Sequence, residues 1–462
     1  MFQLSSKIKF FVVYVAKSAN ILFWFSLLSV TVLPAAATEQ FVLPEPLGDA
    51  DFHPVQQHQA ELGQRLFYDK ILSGNQNISC AACHHPSLGT ADGLALGLGE
   101  GATELGSERL MELGVNQRLR RVPRHSPVLF NLGAKQFTRM FHDGRVEINS
   151  RWPSGFDSPA DEFLPTGLSD IVAAQALFPI LSEIEMAGQI EENEVAGATR
   201  RRADYAWDIV LERLKQNPEY VTLFTNAFSD VDSSSDIEIR HYANAVSAFI
   251  RFEWKSVDSP FDRYLSGDLS ALNSQQVQGM QLFYGQAGCS SCHQGTLQTD
   301  HDFHSLGLPL WGPGRTRRFN NSVRDMGRIN KTDAVADRYK FRTPSLRNLE
   351  NSAPYGHNGA YDQLSDIVRH HLKPQLWLDQ YTYQDLSLPQ AHPLQDADLL
   401  ASLDNKEQQL LRASISIEPV QLSEDQLTQI LAFLSALNDP NAQQGRLGIP
   451  QSVPSGLAIL RE

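Results

Sequence analysis

All four cysteines of this 462-residue chain fall in two copies of one pattern, Cys80-Ala81-Ala82-Cys83-His84 and Cys289-Ser290-Ser291-Cys292-His293. Two thiols at this spacing can form thioethers with the vinyl groups of a haem, and the adjoining imidazole can bind the iron on its proximal side. The expected cofactors are two covalently attached c-type haems with His84 and His293 as proximal ligands. Two dithiol redox sites, or one zinc ion held by all four thiols, would use the same cysteines but need no histidine after each pair.

The opposite face of each iron decides the chemistry, because a filled sixth position suits electron transfer and an open one can take peroxide or oxygen. Between residues 86 and 124 there is no histidine and one methionine, Met111, so an open first haem is expected. Its candidate acid–base group is Glu185, in Gln175-Ala176-Leu177-Phe178-Pro179-Ile180-Leu181-Ser182-Glu183-Ile184-Glu185-Met186, since peroxide cleavage moves a proton from the inner to the outer oxygen. Gln175 could hold the peroxide or a water by hydrogen bonds. From the residues alone Glu185 reads more readily as a surface glutamate. For the second haem the candidate sixth ligand is His371, giving bis-histidine coordination, with His370 as the alternative. Neighbouring residues of a helix cannot both point at one iron. His357 and His142 are expected to bond a propionate or a loop.

The elements that position these residues come in duplicate. Gly63-Gln64-Arg65-Leu66-Phe67-Tyr68 precedes the first cysteine pair and Gly279-Met280-Gln281-Leu282-Phe283-Tyr284 the second. Ser126-Pro127-Val128-Leu129-Phe130-Asn131 matches Thr343-Pro344-Ser345-Leu346-Arg347-Asn348, and Phe141-His142-Asp143-Gly144 matches Gly356-His357-Asn358-Gly359. Each half closes on an amphipathic helix, 242–252 and 424–437, carrying Ala248-Phe249 and Ala432-Phe433. The expected fold is mainly α, with two c-type cytochrome-like haem domains in tandem and extensive loops. Their expected bounds are 38–258 for the peroxidatic haem domain and 269–440 for the electron-transfer haem domain. A linker at 259–268 separates them and a tail, 441–462, follows. Insertions are expected at 145–171 and 376–421, the latter with no assignable chemistry.

Lys7, Lys9 and Lys17, the apolar run 21–32 and Ala35-Ala36-Ala37 read as a secretory signal, residues 1–37. Its alternative is a retained membrane anchor, although the run is shorter than the roughly 20 residues of a spanning helix. The expected location is therefore the periplasm, with membrane contact only if the signal is kept. A net charge of −14 disfavours nucleic acid and anionic membrane, and suits a basic redox partner.

These residues resemble the bacterial di-haem cytochrome c peroxidases and their MauG-type relatives over about 47–440. Ser126 to Asn131, Phe141-His142-Asp143-Gly144-Arg145, Gln175 to Met186, Asp302-Phe303-His304 and Ala353 to Gly359 carry the likeness. The resemblance implies an acid–base role for Glu185, a supporting role for Gln175, and position 371 as the distal ligand of the second haem. It implies hydrogen peroxide as substrate, with electrons from a small cytochrome c or copper protein, or oxidation of a residue of a partner protein. A di-haem electron carrier is the non-enzymatic alternative. Departures are informative. Position 371 is Met in typical members and Tyr in MauG, and the histidine that blocks the first haem of typical members has no counterpart here. The tryptophan between the haems is replaced by His142, so Trp152 or closer contacts would carry electrons between them. The family's calcium implies the backbone carbonyls of Ser352 and Pro354 as ligands, but His125 replaces an asparagine oxygen, so a weakened site is expected.

Overall fold

The computed structural model describes residues 41–111, 120–315, 323–383, 386, 388 and 398–461. The signal segment 1–37 lies outside these residues. The helices that matter to the site are α1 (Gln57–Tyr68), α2 (Ile171–Ala176), α3 (Ala203–Lys215) and α4 (Ile239–Glu253), followed by α5 (Pro260–Leu265), α6 (Ser274–Tyr284), α7 (Leu364–Leu372), α8 (Pro374–Gln380) and α9 (Glu424–Ser435). Strand is scarce: an antiparallel hairpin sheet of β1 (Arg139–Met140), β2 (Val146–Ile148) and β3 (Phe156–Asp157), and two-residue pairings such as Phe303–His304 with Phe341–Arg342. Among the described residues no helix is long and apolar enough to cross a membrane.

The duplication is physical. In α4, Tyr242, Ala245, Val246 and Phe249 recur at helical spacing and are buried, and α1 crosses them through Gly63. A β-carbon on Gly63 would lie 1.9 Å from the Ala245 carbonyl oxygen, so only glycine permits this approach. In the second half α6 crosses α9 in the same way, a β-carbon on Gly279 falling 1.8 Å from the Gln429 carbonyl oxygen. Each turn led by Ser-Pro or Thr-Pro ends on a left-handed asparagine, Asn131 (φ 58°) and Asn348 (φ 60°). The backbone N–H of Asn131 donates to Trp254, just past α4, and that of Asn348 to Leu437, just past α9.

Two apolar cores follow. Leu62, Leu66, Phe67, Trp207, Phe249 and Trp254 lie in the larger, and Phe261, Met280, Phe283, Ile430, Phe433 and Leu437 in the other. The stretch 259–268, expected as a linker, is instead a built element. Ser259 and Asp262 form a capping box on α5, Pro260 occupies its first turn, Phe261 enters the second core, and Arg347 binds Asp262 at 2.6 Å. The Pro and Asp that suggested a linker are here helix-start signals. The final segment is also packed. Leu447, Ile449, Leu457, Ile459 and Leu460 lie against the larger core, and the Glu253 carboxylate accepts the backbone N–H groups of Arg446, Leu447 and Gly448. The 145–171 insertion supplies β2 and β3, and part of 376–421 lies outside the described residues.

Gly63→Ala and Gly279→Ala should each destabilise the protein by about 1–3 kcal/mol, the usual cost of overpacking. Denaturant unfolding of the haem-loaded protein checks this, and unchanged midpoints would refute the glycine crossings.

Candidate active site

Each cysteine pair sits on a single 3₁₀ turn, Cys80–Ala82 and Cys289–Ser291, with the following histidine N–H closing onto the first cysteine's carbonyl. None of the four thiols is in a disulfide, and the two pairs stand in separate loops, which removes the four-cysteine zinc alternative. Burial pushes the thiols of Cys80, Cys83 and Cys289 up to about 12.

Both proximal imidazoles are aimed by the same device. His84 Nδ1 donates to the Thr90 carbonyl at 3.0 Å and His293 Nδ1 to the Gln298 carbonyl at 3.0 Å. A carbonyl can only accept, so each Nε2 is left with a free lone pair. Thr90 (φ 64°) and Gln298 (φ 48°) are non-glycine residues in the left-handed region, which turns their carbonyls toward the rings. Burial holds both imidazoles down at about 4, so they are neutral at neutral pH. Ser126 Oγ fixes the first attachment turn through the Cys83 carbonyl at 2.7 Å.

On the second side His371 faces His293, with ring centroids 6.3 Å apart. With metal–nitrogen bonds of about 2 Å and each centroid about 1.1 Å behind its nitrogen, an iron between two imidazoles holds the centroids about 6.2 Å apart. His371 Nδ1 donates to the Ile367 carbonyl at 2.7 Å, again leaving Nε2 free. His370 is fully buried and has both nitrogens engaged, Nδ1 with the Tyr361 hydroxyl and Nε2 with the Leu306 carbonyl, each at 2.8 Å. A cavity of about 690 Å³ runs between His293 and His371, lined by Phe283, Leu346, Val368 and Leu434, and reaches His142 and Gln175 of the first half. Its size and apolar wall suit a large planar cofactor.

The first side is built differently. Among the described residues no imidazole pairs with His84 as His371 does with His293. Met111 packs on Leu98. Glu185 occupies a π-helical turn, Glu183–Ala187, a geometry frequent at functional positions. Two glycines clamp this turn: β-carbons on Gly74 and Gly99 would fall 1.9 Å and 2.0 Å from the Ala187 and Ile184 carbonyl oxygens. The Glu100 N–H donates to Ile184 at 3.2 Å and the Gly74 N–H to Met186 at 2.8 Å. Burial raises the Glu185 carboxyl above the ordinary range, and Arg145 and Arg315 oppose the rise. Gln175 ends α2 and lines the large cavity, whereas Glu185 does not.

Between the two sides lies a polar seam. His142 Nε2 donates to the His125 carbonyl at 3.1 Å, His125 N–H donates to the His357 carbonyl at 2.9 Å, and His357 stacks on Phe341 at 3.5 Å. Burial, reinforced by Arg124, holds His142 at about 3 and keeps it neutral. Trp152 is at the tip of the β2–β3 hairpin, outside the cavity lining. Ser352 and Pro354 do line the cavity, but the His125 ring commits Nδ1 to the Leu94 carbonyl at 2.8 Å, and its side chain offers no oxygen. This donor set does not fit calcium.

Sequence reasoning missed Arg109 and the ion cluster. The Arg109 guanidinium is buried on the carbonyls of Leu98, Gly99 and Glu104, fixing the loop that clamps the Glu185 turn. Arg124 binds Asp143 at 2.8 Å and Asp325 at 2.6 Å, and Arg145 binds Asp143 at 3.1 Å. The one available signal was the arginine of Phe141-His142-Asp143-Gly144-Arg145.

Residues 57–270 match the family model of the di-haem cytochrome c peroxidases. The chain is 32% identical over 339 residues to the methylamine utilization protein MauG of Methylorubrum extorquens, covering 73% of this chain and 75% of that one. The chain belongs to the di-haem cytochrome c peroxidase family. It is a peroxidase-type oxidoreductase of a family that carries haem. It is also 29% identical to the cytochrome c551 peroxidase of Pseudomonas aeruginosa, covering 71% and 75% of the two chains. A solved MauG-like protein associated with microbial copper homeostasis shares the fold at TM-score 0.56 and 23% identity, over 87% and 95% of the two chains. The di-haem peroxidase BthA of Burkholderia thailandensis shares it at TM-score 0.51 and 19% identity, over 89% and 92%.

His371→Ala should convert the second haem from low to high spin in the ferric protein, read by low-temperature electron paramagnetic resonance. An unaltered low-spin signal would remove His371 as the facing ligand.

Proposed function

We propose that the chain is an exported di-haem c-type peroxidase that reduces hydrogen peroxide with electrons from a small cytochrome c or copper protein. The observation that carries this reading is the inequality of the two sides. His371 stands opposite His293, while among the described residues no imidazole faces His84, and the half-buried Glu185, on a turn clamped by Gly74 and Gly99, carries a carboxyl that burial raises. Cys80 and Cys83 would bind one haem by thioethers, with His84 on its iron, and Cys289 and Cys292 the other, with His293 and His371. When bound, the haems supply the redox chemistry that breaks the peroxide bond and stores the resulting oxidising equivalents.

Glu185 takes a proton from the inner peroxide oxygen and returns it to the outer oxygen, which leaves as water. The Gln175 amide orients the substrate by hydrogen bonds. The two attachment loops differ in access: Ala81 and Ala82 are buried, whereas Ser291, Gln294 and Gly295 are exposed, which favours electron entry at the second haem. Imidazole in place of thioether at 371 favours the ferric state and lowers the potential there.

That ligand, with the absence of a blocking histidine between 86 and 124, also favours a second reading. In it the enzyme uses peroxide to oxidise a residue of a partner protein, as a MauG-type member would. Steady-state turnover of a reduced cytochrome with peroxide supports the first reading; negligible turnover with a long-lived oxidised protein supports the second. A plain electron carrier would require a sixth ligand opposite His84.

Glu185→Gln should slow the reaction with peroxide by about 10²–10⁴, the range for loss of a positioned acid–base group, with both haems retained. Because the carboxylate is the form that accepts the proton, and burial raises its pKa, the wild-type rate should climb with pH through a value above the ordinary glutamate range. Stopped-flow mixing with peroxide across pH tests both, and a flat profile or an unslowed variant removes Glu185 from the reaction.

A further inference from the structure

One stretch of the chain departs sharply from the rest in charge. From 269 to 299 there is no Asp, Glu, Lys or Arg, although charged residues make up 20% of the sequence. The stretch holds α6 and the whole second attachment turn. The duplicated unit of the first half gives the comparison, because α1 and the chain leading to Cys80 carry Glu61, Arg65, Asp69 and Lys70. Accessibility differs in step. Ala81 and Ala82 of the first turn are buried, whereas Gly288, Ser291, Gln294 and Gly295 around the second are exposed. The neutral copy is the one that solvent reaches.

Glutamines make this face. Gln278 and Gln281 on α6, Gln286 just beyond it and Gln294 are exposed. Gln278 pairs with Gln429 at 2.7 Å, Gln286 with Gln426 at 3.1 Å, and Gln136 with Thr296 at 2.9 Å. These bonds tie the surface to α9 and to the first half without an ion. Even the helix start is neutral: α6 is capped by Asn273 with Gln276, where an acidic residue would suit the helix dipole. Flanking charges cancel in pairs. Asp302 binds Arg139 at 3.2 Å, Glu424 binds Arg369, and the exposed Lys135 and Asp425, beside Gln136 and Gln426 in sequence, are of opposite sign.

A net charge of −14 draws a basic donor toward the molecule as a whole, but it selects no face. Docking is short-ranged, and a charged side chain pressed on this surface would lose water without gaining a counter-ion. We propose that α6 and the second attachment turn form the docking face for the electron donor, and that the donor is a small redox protein presenting an uncharged face around its own metal. This rests on the peroxide reading above. Each encounter delivers one electron, so two encounters and two protons from solvent reduce one hydrogen peroxide to two waters. The donor must leave after each electron, and a face without ion pairs favours quick release.

The test titrates the ferric haem-loaded enzyme, without peroxide, with two small donors in separate experiments: a basic cytochrome c and a copper protein uncharged around its copper edge. Binding of the copper protein should change by less than about twofold between roughly 20 and 200 mM salt, where docking through ion pairs would lose about tenfold or more. At the higher salt the basic cytochrome should bind more weakly than the copper protein. Gln281→Lys combined with Gln294→Lys should weaken copper-protein binding by about fivefold or more, since both lysines would be desolvated without a partner. Thr222→Lys, at an exposed position of the first half, should leave it unchanged. Tighter binding of the basic cytochrome that salt abolishes, or copper-protein binding unmoved by the paired lysines, overturns the docking face. An enzyme dimer that the paired lysines dissociate assigns the face to a second copy and overturns it too. Peroxide is then added to the bound pairs. Salt-insensitive binding with neither donor oxidised removes the peroxide reading and leaves the docking face standing.

Discussion

One hydrogen bond, made twice, governs the site: the proximal imidazole Nδ1 to a backbone carbonyl. Without it a histidine ring beside a cysteine pair could rotate and present either nitrogen. With it, His84 and His293 each offer Nε2 in a fixed direction. The bond requires a carbonyl turned back toward the ring, which requires left-handed backbone at Thr90 and Gln298. That conformation costs energy, and the folded loops must hold it. Thr90 Oγ1 accepts the Leu129 N–H and Thr299 Oγ1 donates to the Thr343 carbonyl, so each loop is tied to its proline-led turn. Those turns in turn rest on the helices that close each half.

The repeated features were legible in the sequence because they are local. The cysteine pairs, the Gly63 and Gly279 helices and the asparagine turns each declare themselves within a few residues, and all three recur in order. The parts that stayed ambiguous depend on distant chain. His370 and His371 are equal by sequence, and their difference is made by Tyr361 and Leu306, which occupy both nitrogens of His370, whereas His371 engages only Nδ1, with the Ile367 carbonyl. Glu185 read as a surface residue because its turn is fixed by Gly74 and Gly99, whose backbones approach it from elsewhere in the chain. The 259–268 stretch misled because Pro and Asp serve linkers and helix starts alike.

The seam between the duplicated sides is ionic and polar rather than aromatic. Arg124 joins Asp143 of the first half to Asp325 of the second, with Arg145 and Arg315 against the same Asp143. Burial pushes the Asp143 carboxyl up, but the three guanidiniums hold it well below the usual range. Loss of one member of such a buried group typically costs about 3–5 kcal/mol, because the remaining charges are left uncompensated. Three guanidiniums against two carboxylates leave the cluster with an excess of positive charge. His142 and His357, each kept neutral at about 3 by burial, add no charge of their own.

The closing segment changes the order of events in time. Leu447, Ile449, Leu457 and Leu460 cover the core that contains Leu62, Phe67 and Trp254, and the Gln64 side chain donates to the carbonyls of Leu447 and Gly448. The earliest-made core therefore cannot be sealed until nearly the whole chain has emerged. Folding half by half during synthesis, the usual course for tandem units, would leave the first core without this cover. Loss of the last residues would accordingly uncover the core on which Cys80 and Cys83 pack, at the far end of the chain.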